Sequence, residues 1–274
     1  MKSKKGLTWV ISILLVITIV SGGLLIWYVY SLGRARNEFN DLARTFHEYQ
    51  VEEKVLQKDN PQVQIDKDKL LEEKGKEDSD MTIAFKQLQD QNSDIAGWIT
   101  IPGTKINYPV MHTPEDPEYY LNRNFEKEYS ISGVPFVDGK ASMSPRSDNI
   151  LIHGHNMKNG SMFAQLLLYK DKEFLESHPT IEFYTDVTKQ LYDIIAVFPA
   201  DVANNKIQEF DYHSFINAKD QEAFDGYISS AKQYSLFDTG ITADYGDDLL
   251  TLSTCSYHTA HGRFVVIARA RQEN

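Results

Sequence analysis

Cys255 is the only cysteine of the 274-residue chain, and it lies in the string TLSTC, eight residues before Arg263. A single thiol forms no intramolecular disulfide and no cysteine-rich metal site, so it is either a small buried hydrophobe or a nucleophile. If the apolar runs on either side pair as a hairpin, Cys255 ends one strand and Arg263 begins the next. The guanidinium would then stabilise a thiolate, or the oxyanion that forms when the thiolate attacks a carbonyl. A buried cysteine beside an ordinary surface arginine is the alternative.

A nucleophilic thiol needs a proton-transfer partner, and the chain contains eight histidines. His153 and His155 end the apolar run NILIHGHN, where a side chain leaving a strand can reach a cleft; a strand-end histidine bonded to the backbone is the alternative. His258 and His261 lie in the loop that follows Cys255. These residues also include metal-ligand types, but C-x2-H-x2-H matches no common zinc pattern, and we expect no metal and no cofactor.

Short runs rich in Ile, Val, Tyr, Phe and Thr predict the elements that must position these groups. The eight runs are GWITIPG, INYPVMH, VPFVDG, NILIHG, IEFYT, QLYDIIAVFPA, DDLLTLSTC and RFVVIARA. Helical stretches are expected at 81–92, around 162–176 and at 218–234. Many short strands with few helices indicate a mainly β domain, either an antiparallel barrel or a sandwich with helical insertions.

The N-terminus reads as a membrane anchor. MKSKK precedes a nearly uncharged segment, and the apolar stretch 7–30 is long enough to cross a ~30 Å hydrocarbon core as a helix. Aromatic residues near its ends and the lysine cluster predict a single-pass helix with a cytoplasmic N-terminus and an extracellular remainder. A cleaved signal peptide is the alternative.

The segment between anchor and domain carries a helical stripe. The stripe consists of Phe39, Leu42, Phe46, Tyr49 and Leu56. It is either a stalk or a helix docked on the domain, and the charged stretch 66–80 reads as a linker. We therefore expect an anchor with its cytoplasmic tip at 1–33, a helical stalk and linker at 34–80, and a catalytic domain at 81–274. The net charge of −11 disfavours nucleic-acid binding.

The chain resembles the class B sortases, which are membrane-anchored cysteine transpeptidases of Gram-positive bacteria, over roughly residues 81–271. The resemblance is carried by TLSTC with its following arginine and by the stretches FKQLQDQNSDIAGWITIPGTKINYPVMH, YYLNRNF and NILIHGHNM. It implies a closed sortase-type β-barrel that is preceded by an N-terminal helical segment and a single transmembrane helix.

The resemblance also implies roles for individual residues. Cys255 matches the nucleophile, His155 the catalytic histidine and Arg263 the family arginine. The residues implied to contact substrate are Asn107, Met111, Ser253 and Thr254. The chain departs from the family at two positions, since His153 stands where tyrosine is common and Ser256 where an acidic residue is frequent.

The implied activity is a two-step acyl transfer. The enzyme would cleave an NPxTx-like motif near the C-terminus of a secreted protein, form a thioester, and pass the protein to an amine of a peptidoglycan precursor. The expected partners are thus secreted proteins with sorting signals, the wall precursor and the membrane. A pilin-polymerising sortase, a hydrolytic cysteine protease and a non-catalytic surface-binding module are the alternatives.

Overall fold

The computed structural model of the chain describes residues 2–59, 79–185, 188–202, 210–256, 259 and 261–272. Within them, four α-helices are formed: α1 (Lys2–Asp59), α2 (Ser79–Gln91), α3 (Lys172–Ser177) and α4 (Gln221–Tyr234). Two 3-10 helices cover Tyr119–Asn122 and Phe163–Lys170. The predicted linker at 66–80 falls outside the described residues as far as residue 78.

The eight predicted runs all form strands. The strands are β1 (Ile95–Thr100), β2 (Asn107–Met111), β3 (Phe136–Val137), β4 (Asn149–Gly154), β5 (Thr180–Tyr184), β6 (Lys189–Asp201), β7 (Leu249–Cys255) and β8 (Gly262–Ala270). They close into one barrel in the order β1-β2-β3-β4-β7-β8-β6-β5. The predicted mainly β fold and the closed sortase-type barrel are confirmed, and the sandwich is excluded.

The strand pattern predicts an antiparallel barrel, but two of the strand pairs in the structure are parallel. Strand β2 pairs with β3 in parallel, and β4 pairs with β7 in parallel over six residues from Asn149 and Leu249 to Gly154 and Thr254. A parallel pair requires a long crossover connection. The chain between β4 and β7 supplies it, and it contains β5, β6 and α4.

Helix α4 covers the barrel with one apolar face. Its buried residues are Phe224, Tyr227, Ile228 and Ala231, at the three- and four-residue spacing of a single helical stripe. Asp220 caps its N-terminus, because its carboxylate accepts from the amide of Ala223 at 2.9 Å. The helix expected near 162–176 is instead a 3-10 helix followed by the short α3.

Helix α1 continues without a break from the apolar segment into the region that contacts the barrel. Phe39 and Phe46 are almost fully buried, and the ring of Phe46 stacks on Trp98 of β1 with 4.5 Å between centroids. These contacts favour the docked helix over a free stalk. Among the described residues, Trp9–Ser31 is the one segment long and apolar enough to span a membrane, and the protein buries none of it.

Candidate active site

Cys255 and Arg263 face each other across the β7–β8 pair. They are direct partners in its antiparallel register, with Cys255 at the end of β7 and Arg263 at the second position of β8. Opposed residues of neighbouring antiparallel strands have Cα atoms roughly 4.5–5.5 Å apart. Both residues are half-buried, so the thiol and the guanidinium lie at the rim of the barrel, as the hairpin predicts.

The parallel pairing of β4 with β7 brings a histidine to the same rim. The last register pair is Gly154 with Thr254, so the next residues, His155 just after β4 and Cys255 at the end of β7, lie side by side. The side-chain amide of Asn156 donates from Nδ2 to the main-chain oxygen of Cys255 at 2.9 Å, which ties the two chain segments together beyond the ladder. Residues separated by 100 positions in sequence thereby meet at one edge of the sheet.

The imidazole of His155 is held by a main-chain group. Its Nε2 lies 2.8 Å from the carbonyl oxygen of Leu121, in the 3-10 helix Tyr119–Asn122. A carbonyl oxygen only accepts, so Nε2 carries a hydrogen and donates it. In the neutral ring the lone pair is therefore on Nδ1, the atom left for proton exchange with another group.

The Leu121 carbonyl is in turn fixed by its neighbours. Tyr120 is fully buried; its hydroxyl donates to Asp94 at 2.8 Å and accepts from Asn92 at 2.7 Å. Lys127 also pairs with Asp94 at 2.8 Å. This network joins the end of α2 to the 3-10 helix. The sequence does not indicate that this helix contacts His155, because the group that accepts from the imidazole is a backbone oxygen, which every residue has.

The other histidine of the HGH string has a different partner. Nε2 of His153 donates to Oδ2 of Asp138 at 3.0 Å, with both side chains largely buried. Partial burial alone would raise the pKa of Asp138, but hydrogen bonds from His153 and from the Lys140 amide outweigh it and the pKa lies below its ordinary value. His153 is thus hydrogen-bonded to a carboxylate on the barrel wall.

Two of the residues expected to bind substrate are buried in β7. Ser253 bonds the hydroxyl of Tyr212 at 2.7 Å, and Thr254 donates to the main-chain oxygen of Gly154 at 2.8 Å. Burial raises the pKa of Tyr212 to about 12, although the bond with Ser253 and the charge of Arg263 both act to lower it. Tyr212 therefore stays protonated close to Arg263, and the sequence had not singled it out.

The other two expected substrate contacts lie on β2. Asn107 lines a cleft of about 300 Å³ that also includes Asn159 and Ser161 from the loop after His155. Its Oδ1 accepts from the Trp98 indole at 2.6 Å. Met111 has no exposed surface, so it can only shape the wall behind a groove. Substrate contact by these four residues stays a prediction.

The structure describes one of the two histidines in the loop after Cys255. His258 lies outside the described residues, while His261 is exposed and its main-chain oxygen accepts from Val202 at 3.2 Å. Of the histidines that the structure describes, His155 is the one that directly follows the last residue pair of the β4–β7 ladder, beside Cys255. The roles expected for Cys255, His155 and Arg263 remain predictions, and the three residues come from three neighbouring strand ends.

Comparison with known proteins identifies the family of this chain. Residues 99–271 match the sortase domain. The chain belongs to the sortase family. It is 34% identical over 184 residues to Sortase B of Listeria monocytogenes, a match covering 66% of this chain and 72% of the relative.

Solved sortase structures share the fold. The crystal structure of Clostridium perfringens sortase B is 32% identical, with a TM-score of 0.62 over 68% of this chain and 99% of that one. The Staphylococcus aureus sortase B–substrate complex, at 23% identity, has a TM-score of 0.69 over 88% of this chain and 98% of that one. The expected class B sortase, a cysteine transpeptidase of sorting signals, is confirmed.

Proposed function

We propose that Cys255 is the nucleophile of this sortase, that His155 transfers the protons and that Arg263 stabilises the oxyanion. The observation that carries the proposal is the convergence of three strand ends, since β4, β7 and β8 each deliver one of these residues to the same rim. The single thiol of the chain and the family's cysteine chemistry leave no competing sulfur nucleophile.

The first step forms a thioester. The Cys255 thiolate attacks the carbonyl carbon that precedes the scissile bond of the sorting motif, and a tetrahedral oxyanion results. As the carbon–nitrogen bond breaks, His155, acting as the imidazolium, gives its Nδ1 proton to the departing amine and becomes neutral. The choice of Nδ1 follows from the bond between Nε2 and Leu121, which occupies the other ring nitrogen.

The second step reverses these movements. An acceptor amine attacks the thioester carbon, and Nδ1 of the now neutral His155 takes the amine's proton. The carbon–sulfur bond breaks, the thiolate returns, and a new amide joins the protein to the acceptor. Arg263 faces the same carbon in both steps, and loss of one oxyanion donor in such a site typically costs about 2.7–4 kcal/mol of transition-state stabilisation.

The substrates of this chain are proposed to be secreted proteins with an NPxTx-like motif, and the acceptor an amine of a peptidoglycan precursor. Trp9–Ser31 is proposed to cross the cell membrane with the N-terminal lysines in the cytoplasm and the barrel outside. This orientation would place the enzyme where exported substrates and lipid-linked precursors emerge, and tethering raises the effective concentration of all three.

Mass spectrometry of the full chain in detergent, mixed with an NPxTx-like peptide and a small amine, tests the proposal. A Cys255-linked fragment of the peptide followed by an amide product is the expected result. Hydrolysis alone in the presence of excess amine would favour the protease, and failure of every sorting peptide to label Cys255 would favour the non-catalytic module.

A further inference from the structure

Helix α1 docks on the barrel a short distance after its membrane-spanning candidate ends. The candidate segment ends at Ser31, and Phe39 and Phe46 are buried against the domain. At ~1.5 Å per residue these side chains lie about 12 Å and about 22 Å beyond Ser31 along the helix axis. The barrel is therefore held beside the first turns of the helix after the span.

One loop of the domain contacts α1 closer to the membrane-spanning candidate than Phe39 and Phe46 do. We call residues 123–131 the descending loop. Its Glu128 pairs with Arg34 at 2.6 Å, and its Asn124 donates to Glu38 at 2.9 Å. Arg34 lies only three residues after the end of the span candidate.

The descending loop continues to the level of the span's last turn. A cleft of about 220 Å³ separates them, lined by Trp27 and Tyr30 on the helix side and by Tyr129 and Ile131 on the loop side. The 23 residues of Trp9–Ser31 rise about 34 Å as a helix, compared with ~30 Å for a hydrocarbon core and ~40–45 Å including headgroups. If the span is centred on the core, Tyr30 lies at the edge of the ~30 Å hydrocarbon layer and Trp27 a few ångströms inside it, so the loop beside them reaches the base of the headgroup layer.

The surface of the descending loop suits that layer. Tyr129 is 69% exposed, and tyrosine is enriched where membranes meet water because it has an apolar body and a polar tip. Two basic and two acidic residues balance in the loop's sequence: Arg123, Lys127, Glu126 and Glu128. Because the loop carries no net charge and exposes a tyrosine, we expect it to contact zwitterionic lipid as well as anionic lipid.

We propose that the descending loop lies in the lipid headgroup layer, with Tyr129 as its main contact, and holds the catalytic domain directly against the membrane surface. This inference rests on the proposed transmembrane anchor. The loop follows immediately on the 3-10 helix that carries Leu121, so the group that holds His155 lies next to the membrane contact. The acyl-transfer site would then work close to the outer leaflet.

The depth of a fluorophore in the full chain tests the inference. In a Cys255→Ser background, which removes the native thiol, single cysteines are introduced as Tyr129→Cys, Tyr245→Cys and Val20→Cys and labelled with an environment-sensitive dye. Tyr245 is 51% exposed and packs near Phe224 of α4, so it is a matched exposed tyrosine away from the descending loop. The proteins are reconstituted in phosphatidylcholine vesicles carrying a spin label on either the headgroup or the acyl chain.

We expect the dye at position 129 to lose fluorescence with headgroup-labelled lipid, the dye at 20 to lose it with chain-labelled lipid, and the dye at 245 to be unaffected by both. If position 20 is quenched while 129 behaves like 245, the loop contact is refuted and the anchor stands. If position 20 also escapes quenching, the anchor fails and the loop contact fails with it.

Discussion

His155 donates from Nε2 to the main-chain oxygen of Leu121 across 2.8 Å, and this contact determines which ring nitrogen can face the nucleophile. The acceptor belongs to a 3-10 helix far from His155 in sequence and is braced by the Tyr120–Asp94 bond. Because a main-chain group holds the ring, replacement of the Leu121 side chain leaves the acceptor in place. The orientation of the proton carrier thus depends on the fold of the 119–122 segment.

Replacement of Cys255 with alanine should abolish formation of a covalent intermediate on a sorting peptide, since no other thiol exists in the chain. The side chain is only half-buried at a strand end, so the melting temperature should change little. Intact-protein mass spectrometry checks the first expectation and thermal unfolding the second. Wild-type turnover by the variant would remove Cys255 from the mechanism.

The two histidines of the HGH string should respond differently to alanine. His155→Ala should lower kcat by about 10²–10⁴-fold, the usual contribution of a general acid–base group, whereas His153→Ala should keep much of the activity because His153 pairs with Asp138. Steady-state transpeptidation with a fluorescent peptide measures both. A larger loss for His153→Ala would show that the proton carrier has been assigned to the wrong histidine.

Arg263→Lys should be impaired although the charge is kept, because a compact ammonium cannot reproduce the planar fork of donors. We expect a fall in kcat/KM with little change in stability. Arg269→Lys is the matched control, since Arg269 lies on the same strand at the opposite end of the barrel, near Asp247. Equal effects from the two substitutions would argue against an oxyanion role for Arg263.

Asp138 should contribute to stability in a pH-dependent way. Its pKa in the folded protein lies below the ordinary value of 3.8, so the folded state binds a proton less readily than the unfolded chain does. The stabilisation is therefore present above that value and is lost as the pH falls through the lower, folded pKa. Asp138→Asn should lower the melting temperature at neutral pH.

The same comparison in acid gives the control for Asp138. The difference in melting temperature between the wild type and Asp138→Asn should shrink as the pH drops below 3.8. Thermal unfolding monitored by circular dichroism from neutral to acid pH measures it. A difference that stays constant with pH would mean that the variant is destabilised by lost packing rather than by the lost charge.

Docking of α1 should stabilise the catalytic domain. Phe46→Ala removes a buried ring that stacks on Trp98 and should cost about 3–5 kcal/mol, as for other buried phenylalanines. Leu168→Ala, at a side chain that is 45% exposed, is the control. Deletion of residues 1–80 should also lower the melting temperature, and unchanged melting of both forms would mean that α1 contributes nothing to the barrel.

Much of the architecture follows from local sequence patterns. The eight β-rich runs correspond to the eight strands, and the helices expected at 81–92 and 218–234 form as α2 and α4 with ends shifted by a few residues. The stretch at 162–176 was harder to predict, since it becomes a 3-10 helix and a short α-helix. Met162 has a φ of 55°, outside the helical region, so the helix begins only at Phe163.

In the candidate site, too, some contacts could be predicted from the sequence and others could not. Cys255 and Arg263 could be paired from the sequence because a short loop joins the two strands that carry them, and a hairpin fixes its own register. The partners of His153, Ser253 and His155 could not be predicted. They are Asp138, Tyr212 and the oxygen of Leu121, which belong to other segments of the chain.

The sequence by itself determined the strands, the apolar N-terminal segment and the hairpin that opposes a thiol to a guanidinium, because each depends on residues close together in the chain. Only the tertiary structure decided that β4 runs parallel to β7, so that His155 meets Cys255, and that α1 packs on the barrel. Those contacts join segments far apart in sequence, and their formation depends on closing the barrel around a shared core rather than on any local pattern.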